Sequence, residues 1–104
     1  MKLLTKELEE RFAKVGRQEY IKDPIVIAKF FNPVGRGYWF ATEYDPKDKI
    51  FWGYVSLFGD YNDELGSFGL EELETIELPL RMHIERDLRF KETRLSEIIK
   101  KYTK

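Results

Sequence analysis

The strongest constraint on the fold is the stretch from Pro24 to Gly59, where three apolar and aromatic segments are separated by short turns. β-branched and aromatic residues favour strands, whereas Pro and Gly in the intervening segments favour turns. This spacing predicts strands at 25–31, 38–44 and 50–58. Because the connections between them are short, the strands are expected to pair as an antiparallel meander.

Alternation of side chains along these segments defines two faces of the predicted sheet. Small residues on one face predict close approach of helices, and hydroxyl-tipped aromatic rings on the other predict partial exposure. The opposite assignment stays open, because both faces are apolar enough to be covered. The first face contains Val26, Ala28, Phe30, Trp39, Ala41, Phe51, Gly53, Val55 and Leu57. The second face contains Ile25, Ile27, Lys29, Phe31, Tyr38, Phe40, Thr42, Tyr44, Ile50, Trp52, Tyr54, Ser56 and Phe58.

One amphipathic helix is predicted before the 24–59 segment in the chain, and another is predicted near the C-terminal end. Thr5 is expected to cap the first helix and Gly16 to end it. Thr93 is expected to cap the last helix. Their apolar stripes, at helical spacing, are Leu8, Phe12 and Val15 in the first helix, and Leu95, Ile98, Ile99 and Tyr102 in the last.

Between the meander and the last helix, the pattern predicts a short strand at 65–68, a brief helix at 70–76 and an extended strand at 81–90. The whole is an α+β fold, an antiparallel β-meander of three to five strands with an N-terminal and a C-terminal helix packed on one face. With 104 residues, of which 42% are hydrophobic, the chain is expected to form one globular domain spanning 1–104.

Charge is distributed unevenly along the chain. Residues 50–80 contain seven acidic side chains and no Lys or Arg, whereas residues 81–104 contain eight basic and four acidic side chains. The cation-free segment predicts an acidic surface that attracts a basic partner and repels nucleic acid. The alternative is that the basic C-terminal segment folds back and neutralises it.

Residues able to support catalysis or metal binding are few. The chain has no Cys and a single His, His83, which excludes an ordinary zinc site. The sequence contains no nucleophile elbow, phosphate loop or dinucleotide fingerprint. Glu85 and Asp87 with His83 would suit a small hydrolase or lyase, but a structural ion-pair network is the favoured interpretation. We therefore predict no catalytic residue, no metal ligand and no cofactor.

The aromatic residues of the second face are the candidate working surface. An aromatic sheet face can stack single-stranded bases, but the 50–58 segment carries no Lys or Arg for the phosphates. Tyr and Trp beside acidic loops are more typical of a protein interface. The predicted binding residues are Tyr38, Phe40, Tyr44, Trp52, Tyr54, Asp60, Asp63, Glu64, Glu71, Glu72 and Glu74.

Several short segments carry a resemblance to a known family. They are Met1-Lys2-Leu3-Leu4-Thr5, Asp23-Pro24-Ile25-Val26, Lys29-Phe30-Phe31, Thr42-Glu43-Tyr44-Asp45-Pro46, Phe51-Trp52-Gly53-Tyr54-Val55, Glu64-Leu65-Gly66 and Ile84-Glu85-Arg86-Asp87-Leu88. In these segments the sequence resembles a family of short uncharacterised proteins carried by phages, plasmids and integrative elements. The resemblance spans nearly the whole chain and includes no catalytic signature. It implies a role in host takeover or in countering host defence.

The leading functional expectation is a non-enzymatic protein-binding module of a mobile genetic element. It would inhibit a host nucleic-acid-handling enzyme through its acidic and aromatic surface. One alternative is a single-stranded nucleic-acid binder that uses the aromatic sheet face, and another is the small hydrolase or lyase. The expected partner is a protein with a basic surface. The sequence contains no apolar run long enough for a signal-peptide core or a membrane span, so we expect a cytoplasmic protein.

Overall fold

The computed structural model describes residues 2–57 and 63–102, and within them it has an α+β fold. The helices are α1 (Lys6–Val15), α2 (Leu70–Thr75) and α3 (Leu95–Tyr102), with a 3₁₀ turn at Pro79–Arg81. The strands are β1 (Ile25–Val26), β2 (Ala28–Phe31), β3 (Tyr38–Asp45), β4 (Ile50–Ser56), β5 (Glu64–Gly69), β6 (Glu85–Arg86) and β7 (Thr93–Arg94). The predicted fold class is confirmed.

The main sheet has five strands in the order β5-β4-β3-β2-β6, and every neighbouring pair is antiparallel. Strands β2 to β5 form the predicted meander, because each follows its neighbour after a short connection. Strand β6 returns to pair with β2 at one edge of the sheet. Strands β1 and β7 form a separate two-stranded pair that ties the middle of the chain to its C-terminal part.

Different helices cover the two faces of the main sheet. The larger cluster of buried residues contains Phe12 from α1 and Leu73 from α2, and we call this side the α1 face. The smaller cluster contains Leu95 and Ile98 from α3, and we call that side the α3 face. The expectation that both terminal helices pack on one face is therefore corrected, since the aromatic second face is apolar enough to attract a helix of its own.

Two irregularities make side chains change face. Between β1 and β2, the consecutive residues Ile27 and Ala28 both lie in the α1-face cluster, whereas Val26 lies in the α3-face cluster. In β3, the register shifts between Ala41 and Glu43, which marks a β-bulge. An extra residue reverses the alternation beyond it. The sequence-based face assignments of Ile25, Val26 and Ile27, which assume unbroken alternation, are therefore wrong.

Gln18 holds these two irregular positions together. Its side chain is 6% exposed. Its amide nitrogen donates to the carbonyls of Ile25 (2.9 Å) and Thr42 (2.8 Å), and its amide oxygen accepts from the Ile25 N–H at 2.8 Å. A buried amide that satisfies three backbone groups fixes the local chain path. The sequence pattern treats this connection only as polar.

The ends of α1 follow local sequence rules. The Thr5 hydroxyl accepts a hydrogen bond from the Leu8 N–H at 3.2 Å, and Gly16 has a φ of 72°. The start of α3 does not follow them. Thr93 lies in β7, and Asp23 caps the helix instead, accepting from the Ser96 N–H at 2.9 Å and from the Ser96 hydroxyl at 2.7 Å. The cap comes from a residue far away in the sequence, so the predicted Thr93 cap is wrong.

The predicted strand at 81–90 is mostly irregular, and only Glu85–Arg86 pair with β2. Arg81 has a positive φ of 59°, which is incompatible with a strand. Asp87 then turns the chain, because its carboxylate accepts from the Arg89 N–H at 2.9 Å and its carbonyl from the Phe90 N–H at 3.2 Å. Side chain-to-backbone bonds of this kind compete with a strand ladder.

A row of small residues crosses the sheet on the α1 face. The register aligns Ala28 with Ala41, Ala41 with Gly53, and Gly53 with Gly66. A Cβ at Gly53 would overlap the carbonyl oxygen of Phe40 and lie 2.8 Å from its carbonyl carbon. Gly53 is therefore required by the neighbouring backbone, a close approach typical of glycine inside a strand.

Candidate functional site

The predicted aromatic surface is largely covered by α3. Phe40 is 0% exposed and Tyr54 is 4% exposed. The Tyr102 ring of α3 lies 5.0 Å from the Phe40 ring and 4.9 Å from the Tyr38 ring, centroid to centroid. These rings form the core between the sheet and α3, so they make neither the partly open binding surface that was expected nor the stacking face of the nucleic-acid alternative.

Tyr44 and Trp52 differ in their exposure to solvent. The bulge in β3 turns Tyr44 onto the α1 face, where its ring lies 4.7 Å from Phe51 and 6.1 Å from Phe12. Its assignment to the second face is therefore wrong. Trp52 is 50% exposed, and Leu65, which pairs with Tyr54 on the adjacent strand, is 64% exposed. Trp52 is the predicted aromatic residue that the fold leaves available at the surface.

The predicted acidic residues lie mainly around β5 and α2. Glu71, Glu72 and Glu74 are exposed on α2, and Glu64 is exposed at the start of β5. Asp63 has a structural contact, because its carboxylate accepts from the Ser56 hydroxyl at 2.7 Å. Asp60 lies outside the described residues.

A groove on the α1 face runs between β5 and α2, and we call it the β5 groove. Its volume is about 520 Å³. Glu64 and Glu72 lie among otherwise mostly apolar lining residues. The lining consists of Trp39, Val55, Leu57, Glu64, Gly66, Ser67, Phe68, Glu72 and Ile76.

Strand β5 is an edge of the main sheet. Within residues 2–57 and 63–102, it pairs with β4 on one side and with no strand on the other. Natural edge strands are often protected by Lys, Pro or a covering element. The six residues of β5 include neither Lys nor Pro, and its exposed side chains include Leu65. Among the described residues, the outward backbone groups of this edge therefore face no partner strand beside the β5 groove.

The acidic side chains of α2 are only partly compensated. Lys49 lies 3.8 Å from Glu71, with both side chains largely exposed. Glu74 shares a second groove with Arg81 and His83. Helix α3 lies across the opposite face of the sheet, and its residues Lys100 and Lys101 line a cleft on that face. Of the basic C-terminal segment considered in the sequence analysis, Arg81 lies near α2, in the groove that also contains Glu74.

A cleft on the α3 face, which we call the Lys29 cleft, was not predicted. The Nζ atom of Lys29 donates to the Tyr102 hydroxyl at 3.0 Å and lies 3.3 Å from the Asp87 carboxylate. The cleft has a volume of about 620 Å³. Its lining consists of Lys29, Asp87, Arg89, Phe90, Lys91, Thr93, Glu97, Ile98, Lys100, Lys101 and Tyr102.

The ammonium group of Lys29 is held in its charged form. Burial by itself lowers the pKa of Lys29, but the hydrogen bonds and charge attraction of Tyr102 and Asp87 outweigh burial and raise the pKa above its ordinary value. Nζ also lies 5.2 Å from the centre of the Tyr38 ring. One sequence signal for this site was a Lys between apolar residues of a strand, which has to find partners when the strand is covered.

His83, Glu85 and Asp87 do not form one site. His83 and Glu85 line the groove that also contains Glu74, whereas Asp87 lines the Lys29 cleft. Arg86, between the two acids, donates to the carbonyls of Lys2 and Leu3 at 3.0 Å each. The hydrolase or lyase alternative needs the three side chains together, and this arrangement separates them.

Two further features of the described residues limit the kinds of site. No group of three or more His, Asp or Glu residues in 2–57 and 63–102 is placed to hold a metal ion. None of the helices described there combines the length and apolar character needed to cross a membrane.

Comparison with known proteins identifies a family. A family model described as "Protein of unknown function (DUF2958)" matches residues 3–103. The chain belongs to the DUF2958 family. No curated protein and no solved structure matches the chain. The family description assigns no activity, so the candidate sites of this DUF2958 protein rest on the geometry of its own residues.

Proposed function

We propose that this protein is a non-enzymatic binding module that captures a basic, extended segment of a partner protein at the open edge of β5. The observation that carries the proposal is the coincidence of three features among the described residues: a strand edge without a partner strand, an adjacent groove and carboxylates that are only partly compensated. Strand addition uses the backbone for affinity and pockets for alternate side chains for specificity. Here the edge would supply the backbone groups, and the β5 groove would receive the side chains.

Exposed apolar side chains lie on both sides of this edge. Leu57, 40% exposed, lines the β5 groove on the α1 face, while Trp52 and Leu65 lie on the α3 face beyond the reach of α3. An added strand would therefore find apolar contact for its successive side chains on either face. Aromatic anchors such as Trp52 are typical of residues that dominate binding energy.

Charge favours a basic partner. Glu64 and Glu72 line the groove, and Glu71 extends the negative surface along α2. Carboxylates around an apolar centre steer a positively charged segment to the site and disfavour an acidic one. We therefore propose the same kind of partner as the sequence analysis did, a protein with a basic surface. The proposed binding surface is the sheet edge and no longer the sheet face.

The biological setting that we propose follows from the sequence resemblance. The protein would be encoded by a mobile genetic element, such as a phage or a plasmid, and would act in the cytoplasm of the host. There it would serve as an anti-defence inhibitor by occupying a basic segment of a nucleic-acid-handling enzyme. Such enzymes carry basic surfaces for phosphate contacts, which suits the charge of this edge.

The test compares baits in a pull-down from host lysate. One variant carries Glu71→Lys, Glu72→Lys and Glu74→Lys, and its matched control carries Glu7→Lys, Glu9→Lys and Glu10→Lys on the exposed side of α1. Both variants change the charge equally. We expect the α2 variant to lose the captured partner by about tenfold or more, because several weak charge contacts act together. The α1 variant should retain the partner.

The strand-addition geometry has its own test. Leu65→Lys places a cation on the β5 edge and removes apolar contact, so it should weaken capture of the same partner. A synthetic peptide from the captured segment should compete for binding, and the same peptide with alternate backbone amides N-methylated should not. Equal competition by both peptides, or capture that survives reversal of the α2 charges, would refute the proposed mechanism.

A further inference from the structure

The Lys29 cleft lies on the opposite face of the sheet from the β5 groove, and the proposed protein-binding function does not use it. Lys29 projects from β2, its side chain is 15% exposed, and it is fixed by contacts to two different segments. A lysine ammonium has three donors. Tyr102 receives one of them and Asp87 accepts a second. A ligand in the cleft would accept from the third donor.

The Tyr102 hydroxyl adds a second donor to the same place. It accepts a hydrogen bond from Lys29 at 3.0 Å, so its own proton is free to point away from the ammonium group. The ring is anchored by its packing against Phe40 and Tyr38. Two donors held by core contacts form a preorganised site, which lowers the ordering cost of binding.

The charge of the cleft specifies the type of ligand. Five of the side chains that line it are cationic, and two, Asp87 and Glu97, are anionic. The cationic residues are Lys29, Arg89, Lys91, Lys100 and Lys101. An excess of three positive charges favours a multiply charged anion over a single carboxylate. A compact lysine charge at the floor of a basic cleft is a common phosphate ligand.

We infer that the Lys29 cleft binds a small molecule carrying a phosphate group, of about the size of a nucleotide. The phosphate would accept from Lys29 and Tyr102 at the floor, and the cations of the rim would neutralise its remaining charge. The volume of about 620 Å³ lies within the range of small-molecule sites. Asp87 is the positioning residue, because it holds the ammonium group in place while competing with the ligand for its charge.

The experiment is a calorimetric titration of the full chain with a nucleoside diphosphate. Two comparison arms use the matching nucleoside without phosphate and an oligonucleotide that lacks a terminal phosphate. The diphosphate should bind, and the nucleoside should not. Binding of the oligonucleotide alone would assign the basic surface to nucleic-acid backbone, and would overturn the small-molecule assignment.

Two substitutions at the floor should act in opposite directions. Lys29→Met keeps the aliphatic stem but removes the charge and the donors, and it should weaken diphosphate binding by about tenfold or more. Asp87→Asn removes a competing negative charge and should tighten binding by a few-fold, on the order of three. If the Lys29–Asp87 ion pair were purely structural, the two substitutions would not change the diphosphate affinity in opposite directions. If both substitutions leave the affinity unchanged, the site is refuted.

The test also covers loss of folding and non-specific attraction. Amide NMR spectra report whether Lys29→Met remains folded, and if it does not, Lys100→Met with Lys101→Met replaces it, because both residues are exposed on the rim of the cleft. Lys14→Met with Lys22→Met removes two exposed charges outside the cleft lining and should leave the affinity unchanged. If both double lysine variants weaken diphosphate binding equally, the binding is general charge attraction, and the proposal is overturned.

Discussion

The two faces of the main sheet are built from the same strands but are closed in different ways. On the α1 face, two helices and the segment around Leu3 and Leu4 cover a large continuous cluster. On the α3 face, one helix of eight residues covers a small cluster, and Asp23 holds the start of that helix. On each face, the candidate site lies beside the helices, where they leave part of the sheet uncovered. The β5 groove is acidic, and the Lys29 cleft is basic.

This difference shows how one short sheet can offer two surfaces of opposite charge. Alternation sends successive side chains of a strand to opposite faces, so each face can be specified separately. Helix α2 brings carboxylates to the edge strand, whereas α3 brings lysines to β2. The sheet keeps the two groups of charges apart, and a net charge of −1 conceals both.

The largest expected effect comes from breaking the sheet that both faces share. Gly53→Ala should lower the free energy of unfolding by about 3 kcal/mol or more, because the new methyl group would overlap the Phe40 carbonyl and force the strands apart. Urea unfolding measures it. Gly66→Ala is the matched control, since Gly66 pairs with Gly53 and a Cβ there would meet nothing within 4 Å. Similar losses in both variants would contradict the close-approach explanation.

Removing one core side chain from each face tests whether the faces are equally essential. Phe12→Ala should destabilise by about 3–5 kcal/mol and Ile98→Ala by about 2–4 kcal/mol. In Ile98→Ala, but not in Phe12→Ala, the sheet amides should stay protected from hydrogen exchange while α3 opens, because α3 covers the smaller cluster. Hydrogen exchange of the β3 and β4 amides separates the two outcomes. Loss of protection throughout the sheet in Ile98→Ala would mean that the two faces unfold together.

The buried amide at the face-changing positions should have an intermediate effect. Gln18→Leu removes partners from the Ile25 N–H and from the Ile25 and Thr42 carbonyls, so we expect a loss of about 2–3 kcal/mol. Glu19→Leu changes an exposed neighbour and should have little effect on stability. Chemical denaturation of the two variants provides the measurement. A Gln18→Leu protein as stable as the wild type would contradict the predicted contribution of these bonds to stability.

The smallest effect concerns the pH dependence of α3. Hydrogen bonds from Ser96 lower the pKa of Asp23, so the folded state has a lower pKa than the unfolded state. The stability from this group is present above the unfolded-state pKa and is lost as pH falls through the folded-state pKa. Arg11 lowers the pKa of Glu92 in the same direction, first through its hydrogen bond. Acidification should therefore reduce the melting temperature.

Asp23→Asn should make that acid dependence shallower without abolishing it, because Glu92 still titrates. Melting temperatures measured across the acidic range provide the comparison. Ser96→Ala removes the hydroxyl donor and should also make the dependence shallower, with little further change when it is combined with Asp23→Asn. Identical pH profiles for the wild type and Asp23→Asn would exclude a contribution of this cap.

Local signals in the sequence determined much of the fold. The period of two in the central segments predicted β3 and β4, and helical stripes with Thr5 and Gly16 at the ends predicted α1. The cation-free segment at 50–80 supplies the carboxylates that lie exposed on α2. These features depend on neighbours within a few residues, so the pattern alone contains them.

The positions of the sites required the tertiary structure. Whether Phe40 was open or buried depended on where α3 packs, and the face of Tyr44 depended on a bulge that leaves no clear mark in the residue pattern. The Asp23 cap and the Lys29 cleft each join residues more than seventy positions apart. The sequence thus determined the strands, the terminal helices and the supply of charge. Only folding determined which charges meet, because contacts between distant residues depend on how whole elements pack.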